Sequence, residues 1–380
     1  YLIPRRQTNL LGQRKRNYHL IMIKQSPKPE NLHDRNIIHA AVVGFGLSGK
    51  VFHAPLLQAH KGFRIGAFVS NNALVHEQYP DAKIYTRFEE VLNDPRIDLV
   101  VICTPHQLHL SQTVESLRAG KHVVVEKPVA LSSADFKIMM ETAKKTQRLL
   151  IPFHNRRWDG DFLTIRHLIA SGSLGQLVDF ESRFDRYSPI VSRAEWRYVG
   201  SEAGGTLYDL GPHLIDQAIV LFGKPKAVYA NLRFLRQKSQ SNDGFDLTLF
   251  YDKLVVTLKA GVYVKEAGPR FQLHGSLGSF LKYGLDPQEG RLKEKASSSL
   301  KGIGRDKKQD FGILNCVVDG ETSRRKFPTI PGNYLGFYHN VFDAIVHGAP
   351  QDVKMEEALM VLEIIEAAIK SFNTGKNIDL

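Results

Sequence analysis

Short apolar runs alternate with amphipathic segments over the first part of the chain. The run from Ile37 to Val43 is largely apolar and leads into a glycine, which predicts a buried parallel strand. Further strands are predicted at 63–70, 99–104, 122–126 and 149–153, with helices at 88–92, 108–118 and 132–146. Ser132 is the candidate N-cap of the last helix. This alternation favours right-handed βαβ units and a doubly wound parallel sheet over residues 37–155.

The pattern changes beyond Trp158, where strand-like runs follow one another with only short turns between them. Strands are predicted at 177–187, 227–236, 245–251, 254–264, 271–274 and 279–283, and helices at 162–170, 210–222, 338–346 and 355–372. Such runs indicate an open mixed or antiparallel sheet with helices on one face. The chain is therefore predicted to be an α/β protein whose second, α+β domain spans 156–380. The polar segment 286–310 is expected to be a solvated loop.

The positive charge of the chain is concentrated at its N-terminus. Lys and Arg number 51 against 39 Asp and Glu, a net charge of +12 that raises the possibility of nucleic-acid or membrane binding. Residues 1–36 hold eight basic and two acidic side chains, and so carry half of the excess. They show no strand or helix periodicity, so we expect a disordered basic leader there. The mildly basic remainder argues against nucleic-acid binding by the folded part, although binding through the leader stays an alternative.

Cysteine content and hydropathy narrow the class of protein. Cys103 and Cys316 lie 213 positions apart, which fits neither a disulfide framework nor a metal-ligand spacing. Cys103 follows an apolar run and is expected to be a buried, unreactive thiol. No apolar stretch approaches the roughly 18 residues that a membrane span requires. We expect a soluble, cytoplasmic protein that binds no membrane.

A glycine-rich loop follows the first predicted strand and leads into a helix. Its glycines have the spacing of the dinucleotide-binding fingerprint, in which they provide a tight turn, close approach of the backbone to a pyrophosphate, and close helix packing. The helix N-terminus after the loop attracts phosphate. The pattern predicts a Rossmann dinucleotide-binding domain. The loop consists of Gly44, Phe45, Gly46, Leu47, Ser48 and Gly49.

The end of the second strand bears on the choice of cofactor. An NAD site usually places Asp or Glu there, because the carboxylate binds the ribose 2′-hydroxyl and repels a 2′-phosphate. This chain has Ser70 and Asn71 at that point, and its first acid is Glu77. Ser70 and Asn71 can both donate hydrogen bonds to a phosphate. We therefore predict a preference for NADP over NAD.

Two segments carry candidate reaction chemistry. Lys127 follows the predicted strand 122–126, at the carboxyl edge where ligands of such sheets bind, although it is equally an ordinary surface amine by spacing alone. Asp209 and His213 lie four residues apart at a predicted helix start, with Pro212 in its first turn. A carboxylate beside an imidazole orients the ring and favours its protonated form, as in a general base. The alternative is a helix-capping Asp209 with a structural His213.

Other polar residues allow more than one interpretation. His106 and His109 have a spacing that zinc ligands use, but a helix start and cofactor contact explain them without metal, so no metal site is predicted. A cationic and aromatic segment lies where the two domains join, and it is suited either to a polar substrate or nicotinamide or to interdomain packing. That segment contains Asn155, Arg156, Arg157 and Trp158.

Several motifs occur together and in order along the chain. They are the glycine fingerprint with Val51-Phe52-His53-Ala54-Pro55 after it, Thr104-Pro105 with His109, Ala119-Gly120-Lys121-His122 leading to Glu126-Lys127-Pro128, and Tyr208-Asp209-Leu210-Gly211 with His213. In these motifs the chain resembles the glucose-fructose oxidoreductase, inositol dehydrogenase and rhizopine-catabolism (Gfo/Idh/MocA) family over about residues 37–380. The segment 154–159 looks most like the family's NADP-dependent scyllo-inositol 2-dehydrogenase branch, which has an Arg where this chain has Asn71.

The resemblance implies a site and a reaction. Lys127, Asp209 and His213 become the catalytic group, with His213 taking the hydroxyl proton of a ring polyol or sugar while hydride leaves the same carbon for the nicotinamide. Thr104, Pro105, His109, Glu126 and Lys127 line the cofactor. The exposed face of the second sheet becomes the contact of a homodimer or homotetramer. The alternative is a non-catalytic nucleotide-binding regulator on the same fold.

Overall fold

The computed structural model describes residues 37–190, 204–237, 239–294 and 300–380. The predicted leader at 1–36 lies outside these residues. The described chain forms a six-stranded and a nine-stranded sheet, each with helices packed against it. Within the described residues, no helix combines the length and apolar character that a bilayer crossing needs.

The six-stranded sheet is parallel throughout. Its strands are β1 (Ile38–Val43), β2 (Phe63–Val69), β3 (Lys83–Tyr85), β4 (Leu99–Ile102), β5 (His122–Val125) and β6 (Leu150–Pro152). Their order is β3-β2-β1-β4-β5-β6, which is the Rossmann order and confirms the predicted doubly wound sheet. The order reverses between β1 and β4, so the loops after these strands flank the crevice where ligands of this fold bind.

Five helices accompany the first sheet in the described part of the chain. They are α1 (Ala54–Ala59), α2 (Leu74–Gln78), α3 (Phe88–Leu92), α4 (His109–Arg118) and α5 (Ser133–Thr146). A π-helical turn at Gly49–His53 leads directly into α1. Ser132 is the N-cap of α5, as predicted, because its hydroxyl accepts a hydrogen bond from the backbone N–H of Asp135 at 3.1 Å.

The nine-stranded sheet is mixed. Its strands are β7 (Leu177–Asp185), β8 (Ala227–Arg233), β9 (Gly244–Phe250), β10 (Val255–Gly261), β11 (Phe271–Gly275), β12 (Gly278–Lys282), β13 (Gly312–Val318), β14 (Glu321–Phe327) and β15 (Ile378–Asp379). Their order is β14-β13-β12-β11-β7-β10-β9-β8-β15, and β7 with β10 is a parallel pair. The remaining helices are α6 (Gly160–Ala170), α7 (Thr206–Phe222), α8 (Gln288–Glu294), α9 (Leu335–His347) and α10 (Met355–Thr374). The predicted α/β class with an open mixed sheet is confirmed.

The two C-terminal helices connect the sheets. In α9, Phe337 and Tyr338 pack in the same hydrophobic cluster as Ile38 and Val42 of β1. In α10, Leu362 packs against the other face of the first sheet, whereas neighbouring side chains of the helix pack against the second sheet. Part of the segment 156–380 therefore returns to the first sheet, and the boundary at 155/156 stays a prediction.

The expectation of a solvated loop at 286–310 is wrong. The segment contains α8, and its Leu292 and Ile303 are buried in the same cluster as Phe45 and Val51. Buried Asp286 accepts a hydrogen bond from the backbone N–H of Gly160 at 2.7 Å. Two apolar anchors in a polar segment give no periodicity, so their burial is not visible in the local pattern.

Helix α7 begins at Thr206, earlier than predicted. Asn242, from a distant loop, accepts hydrogen bonds from the first backbone N–H groups of the helix through its carbonyl and its side-chain oxygen, both at 2.8 Å. Asp209 and Pro212 therefore lie inside the helix, and the helix-capping alternative for Asp209 is wrong. The pattern also missed β3, β13, β14 and β15. The charged side chains of β14 are mostly exposed, so that strand has no apolar alternation to detect.

Candidate active site

A cavity of about 540 Å³ lies at the carboxyl edge of the first sheet, between the two domains. One wall, the glycine-loop wall, comprises the loop 44–49 and the ends of β4 and β5. The opposite wall, the arginine wall, comprises Arg156 and Glu289, which line the cavity, together with Asp159 and Tyr334, which are buried partners of Arg156 outside the lining. Helix α7 lies between them and contributes Asp209 and His213.

The fingerprint glycines have the three geometric roles expected of them. Gly44 has a φ of +94°, and a Cβ atom there would lie 2.9 Å from the carbonyl oxygen of Cys103. A Cβ atom on Gly49 would lie 2.3 Å from the carbonyl oxygen of Gly44. Gly46 instead has nothing within 4 Å of its Cβ position and lines the cavity. The loop is therefore packed tightly behind and open in front, as a pyrophosphate cradle requires.

The turns after β4 and β5 are joined by His109. Its Nδ1 lies 2.9 Å from the carbonyl oxygen of Pro128, and its Nε2 lies 3.0 Å from that of Thr104. Burial lowers the pKa of this imidazole. Thr104, Pro105 and His109 all line the cavity. The two strand ends are thereby held together as one surface.

Glu126 and Cys103 lie at the base of the glycine-loop wall. The carboxylate of Glu126 accepts a hydrogen bond from the hydroxyl of Ser48 and another from the backbone N–H of Lys127 at 2.9 Å. Burial alone would raise the pKa of Glu126, but His53, Ser48 and Lys127 together outweigh it and lower that pKa. Cys103 lines the cavity and is half-buried, so the expectation of a buried thiol is wrong, although burial, reinforced by the charge of Glu126, raises the pKa of this thiol.

Lys127 and Asp209 meet across the two domains. The Nζ atom of Lys127 donates to the Asp209 carbonyl oxygen at 2.6 Å and to its Oδ1 at 3.1 Å. Arg186 lies 3.6 Å from the other carboxylate oxygen of Asp209. Pro212 lies in the second turn of α7 and cannot donate a helical hydrogen bond, which interrupts the ladder next to this contact.

His213 lies one helical turn after Asp209 in α7, and its side chain is only 6% exposed. Its Nδ1 has no hydrogen-bond partner among the described residues. Burial, reinforced by the positive charges of Lys127 and Arg156, lowers the pKa of His213 well below its ordinary value. The expectation that Asp209 favours the imidazolium is therefore wrong, because burial of the ring is the largest cause of the shift and Lys127, which bonds the Asp209 carboxylate, adds its own positive charge near the ring. His213 is a neutral imidazole at neutral pH.

Arg156 is the central residue of the arginine wall. Its guanidinium donates to Glu289, to Asp159 at 3.3 Å and to the hydroxyl of Tyr334 at 3.4 Å, and it lies 5.0 Å from the ring of Phe184. Tyr334 also donates to Asp159 at 2.7 Å. Burial raises the pKa of Asp159 to about 8, although Arg156 opposes the shift. The wall therefore offers the guanidinium of Arg156 and the carboxylate of Glu289 to a polar ligand, while Asp159 and Tyr334 support Arg156 from outside the lining.

Arg157 faces away from this cavity. Its guanidinium donates to both carboxylate oxygens of buried Asp216, at 2.9 and 2.5 Å, and lies 2.8 Å from Glu357. Trp158 packs edge-on against Phe337 with ring centroids 5.7 Å apart. Asn155 and Arg156 line the cavity, whereas Arg157 and Trp158 do not. Of the four predicted residues, the structure brings only the first two to the site.

Ser70 and Asn71 follow β2 at the same sheet edge but outside the cavity lining. The Ser70 hydroxyl oxygen accepts a hydrogen bond from the backbone N–H of Asn72 at 3.0 Å, which leaves its O–H available to donate. Asn71 is exposed. Among the residues that the structure describes, no group of three or more His, Cys, Asp or Glu side chains has an arrangement that would hold a metal ion.

Comparison with known proteins accounts for both domains. The model of the NAD-binding Rossmann fold of Gfo/Idh/MocA oxidoreductases matches residues 38–154, and that of their C-terminal α/β domain matches 166–380. The chain belongs to the Gfo/Idh/MocA oxidoreductase family. One relative, the scyllo-inositol 2-dehydrogenase (NADP(+)) IolW of Bacillus subtilis, is 40% identical over 90% of this chain and 96% of its own.

Solved structures agree with this membership. The putative oxidoreductase yvaA of Bacillus subtilis has a TM-score of 0.87 and 40% identity, covering 91% of this chain and 99% of its own. The YPO2259 putative oxidoreductase of Yersinia pestis has a TM-score of 0.86 and 39% identity, covering 91% and 97%. The fold and the NAD-binding domain are thus those of Gfo/Idh/MocA oxidoreductases.

Several cavity residues of this Gfo/Idh/MocA chain were not found by sequence reasoning. Phe184, Asp185 and Arg186 lie at the end of β7, and Glu289 and Lys293 lie in α8. The first three lie near the C-terminal end of the predicted strand 177–187, so the end of that strand was the available signal. No local signal identifies Glu289 and Lys293, because α8 lies in the segment expected to be a loop.

Proposed function

We propose that the chain is an NADP-preferring dehydrogenase that oxidises a secondary alcohol of a cyclic polyol or sugar. The observation that supports this most is the meeting of Lys127, Asp209 and His213 in one cavity with an open glycine loop. These residues come from both domains and from distant parts of the sequence. Their convergence is what a hydride-transfer site at the domain junction requires.

The cavity fits a dinucleotide. Gly46 leaves space at the front of the glycine loop, and the backbone N–H groups of the following turn favour an anion there. We propose that the loop 44–49 holds the pyrophosphate and that the ends of β4 and β5 line the nicotinamide end. That second group consists of Thr104, Pro105, His109, Glu126 and Lys127. Ser70 and Asn71 would donate to the 2′-phosphate of NADP, where a carboxylate would repel it.

The proposed reaction divides its tasks among three side chains. When bound, the nicotinamide supplies the acceptor for the hydrogen and electron pair that leave the substrate carbon. Lys127 has three N–H donors, two of which reach Asp209, so a third remains to polarise the substrate hydroxyl. Asp209 fixes the position of that ammonium. His213 is neutral, which is the form that accepts the hydroxyl proton as general base.

The arginine wall supports a polyhydroxylated substrate. Asn155, Arg156 and Glu289 present donors and acceptors to the same cavity, and vicinal hydroxyls both donate and accept. The relative from Bacillus subtilis is described as a scyllo-inositol 2-dehydrogenase that uses NADP. We therefore place inositols first among the candidate substrates, with aldoses and their acids after them.

We also propose that the chain forms a homodimer or homotetramer through the second sheet. One face of this sheet packs against α7 and α10, while the opposite face carries ion pairs such as Lys259 with Glu181 at 3.2 Å and Arg233 with Asp246 at 3.2 Å. A monomer by light scattering at micromolar concentration would contradict this part of the proposal.

The test of the function is a dehydrogenase screen with purified protein. Inositols, aldoses and aldonic acids are offered with NADP or NAD, and reduction of the cofactor is followed by absorbance. We expect turnover of a cyclic polyol or sugar with a larger kcat/KM for NADP. Binding of a dinucleotide without turnover of any compound would favour the regulator instead, and a tenfold preference for NAD would contradict the cofactor assignment.

A further inference from the structure

A chain of buried side chains runs from the cavity to helix α9. The imidazole of His53 is fully buried in the turn after the glycine loop. Its Nε2 lies 3.1 Å from Oε1 of Glu126, and its Nδ1 lies 2.7 Å from the hydroxyl of Tyr338, which is also fully buried. The reaction proposed above uses neither His53 nor Tyr338.

The direction of each hydrogen bond in this chain follows from the carboxylate. An ionised carboxylate can only accept hydrogen bonds. Nε2 of His53 therefore carries a hydrogen and donates a hydrogen bond to Glu126. In the neutral imidazole Nδ1 then has a lone pair and accepts from the hydroxyl of Tyr338. Tyr338 thus supports the tautomer of His53 that donates to Glu126.

Three elements converge on the carboxylate of Glu126. The glycine loop contributes Ser48, the following turn contributes His53, and the backbone N–H of Lys127 bonds the second oxygen at 2.9 Å. A buried carboxylate with this many donors is fixed in position and stays ionised. Removal of the donors would leave burial, which raises the pKa of Glu126, with less opposition.

We propose that His53 and Tyr338 are positioning residues that hold the Glu126 carboxylate, ionised and oriented, as an acceptor for hydroxyl or amide groups of the bound cofactor. The inference rests on the proposed function, because it takes Glu126 as a cofactor contact. Through Tyr338, helix α9 of the C-terminal region takes part in forming the glycine-loop wall.

Helix α9 also provides a matched control. Tyr334 lies one turn before Tyr338 and is as deeply buried, but its hydroxyl donates to Asp159 in the arginine wall. Replacing either tyrosine by Phe removes one hydroxyl and keeps the ring. The two variants therefore remove equivalent atoms on opposite sides of the cavity.

The experiment measures cofactor binding directly, by calorimetry with NADPH at pH 7 and pH 5. For Tyr338→Phe we expect binding about tenfold weaker at pH 7, the effect of losing a bond that supports a charged acceptor. Relative to the wild type at the same pH, we expect a larger loss at pH 5 than at pH 7, because burial raises the pKa of Glu126 and meets less opposition when its donors are weakened. Tyr334→Phe should leave the Kd for NADPH at the wild-type value at both pH values.

A second pair of variants distinguishes the hydrogen bond of His53 to Glu126 from the packing of its ring. His53→Gln keeps an amide N–H that can reach Glu126, whereas His53→Leu keeps only bulk. We expect His53→Gln to retain more cofactor affinity than His53→Leu at equal thermal stability. This pair also provides the test if Tyr338→Phe fails to fold.

The outcomes distinguish a failure of the positioning role from a failure of the proposed function. If the wild type binds NADPH, and Tyr338→Phe and both His53 variants bind it as tightly as the wild type at each pH, the positioning role is wrong and the proposed function stands. An equal loss of affinity in Tyr338→Phe and Tyr334→Phe would also overturn it, because a general effect of α9 would explain both. If the wild type binds neither NADPH nor NADH, the proposed function and the inference fail together.

Discussion

The two walls of the cavity are built in different ways. In the glycine-loop wall, backbone atoms of short segments after neighbouring strands take part in many contacts, as where His109 joins the carbonyl groups of Thr104 and Pro128, and Glu126 is the buried charge. In the arginine wall, buried charged side chains pair over long sequence separations, as Arg156 pairs with Glu289 from 133 positions away. Backbone contacts tolerate changes in side chains, whereas a buried charge depends on each partner. Substitutions should therefore affect the two walls differently.

The largest expected effect is on His213, which lies between the walls. Replacement by Ala should lower kcat by roughly 10² to 10⁴, the usual range for a general base. Cofactor affinity should remain near the wild-type value, because His213 is not part of the glycine-loop wall. Steady-state kinetics and a separate measurement of the cofactor Kd check both statements.

His154 provides the control for this experiment. Like His213 it is buried and burial lowers its pKa, but it lies outside the cavity lining, 3.8 Å from Asp216. Turnover per folded molecule should be nearly unchanged in His154→Asn. Unchanged turnover in His213→Ala would remove that residue from the mechanism.

Two adjacent arginines are expected to differ in role, Arg157 in stabilising the fold and Arg156 in contacting the substrate. Arg157→Met removes one partner of the buried pair with Asp216, so it should reduce the free energy of unfolding by about 3 to 5 kcal/mol. The substrate KM of the molecules that remain folded should stay near wild type. Arg156→Lys keeps the charge but loses the planar fork, so it should raise the substrate KM and leave the cofactor Kd unchanged. Denaturant unfolding and steady-state kinetics of both variants test these expectations. A stable Arg157→Met with a raised substrate KM, together with an unstable Arg156→Lys with an unchanged KM, would contradict the roles assigned to the two arginines.

A smaller effect is expected at the end of β2. Asn71→Asp introduces a carboxylate where the 2′-phosphate of NADP is proposed to lie, and like charges repel. The kcat/KM with NADP should fall by about tenfold or more, while that with NAD is maintained or rises. Asn71→Ser is the matched control, because it adds no charge. Equal losses with both cofactors would show that residue 71 does not face the 2′ position.

The same contrast between the walls explains what the sequence could predict. The glycine loop is contiguous, so its residue types and spacing predict it without a structure. The segments around Lys127 and Asp209 are contiguous too, but their spacing left structural alternatives open, and only the resemblance to the family implied catalytic roles for them. The arginine wall depends on Glu289, whose helix occurs in a segment where, among the described residues, two apolar side chains are buried, Leu292 and Ile303. Likewise the start of α7 depends on Asn242, a partner that no local pattern reveals. Long-range partners were missed because periodicity reports only on neighbours along the chain.

The smallest expected effect concerns the outer side of α9, away from both walls. Nε2 of His60 lies 2.9 Å from Nδ1 of His339, and its Nδ1 accepts a hydrogen bond from the backbone N–H of Gly62 at 3.0 Å. Burial lowers the pKa of His60 from 6.5 to about 4, with His339 adding to the shift and Asp343 opposing it. Between pH 4 and pH 6.5, His60 binds a proton more readily in the unfolded chain than in the folded one. The contribution of neutral His60 to the free energy of unfolding is therefore complete above pH 6.5 and is lost as the pH falls through 4. His60→Asn keeps an acceptor for Gly62 but does not titrate, so its Tm should fall less than that of the wild type between pH 7 and pH 4.5, by about 1 to 2 °C. Parallel Tm profiles for the two proteins would show that this histidine pair does not contribute to the acid sensitivity of the contact between α9 and the first domain.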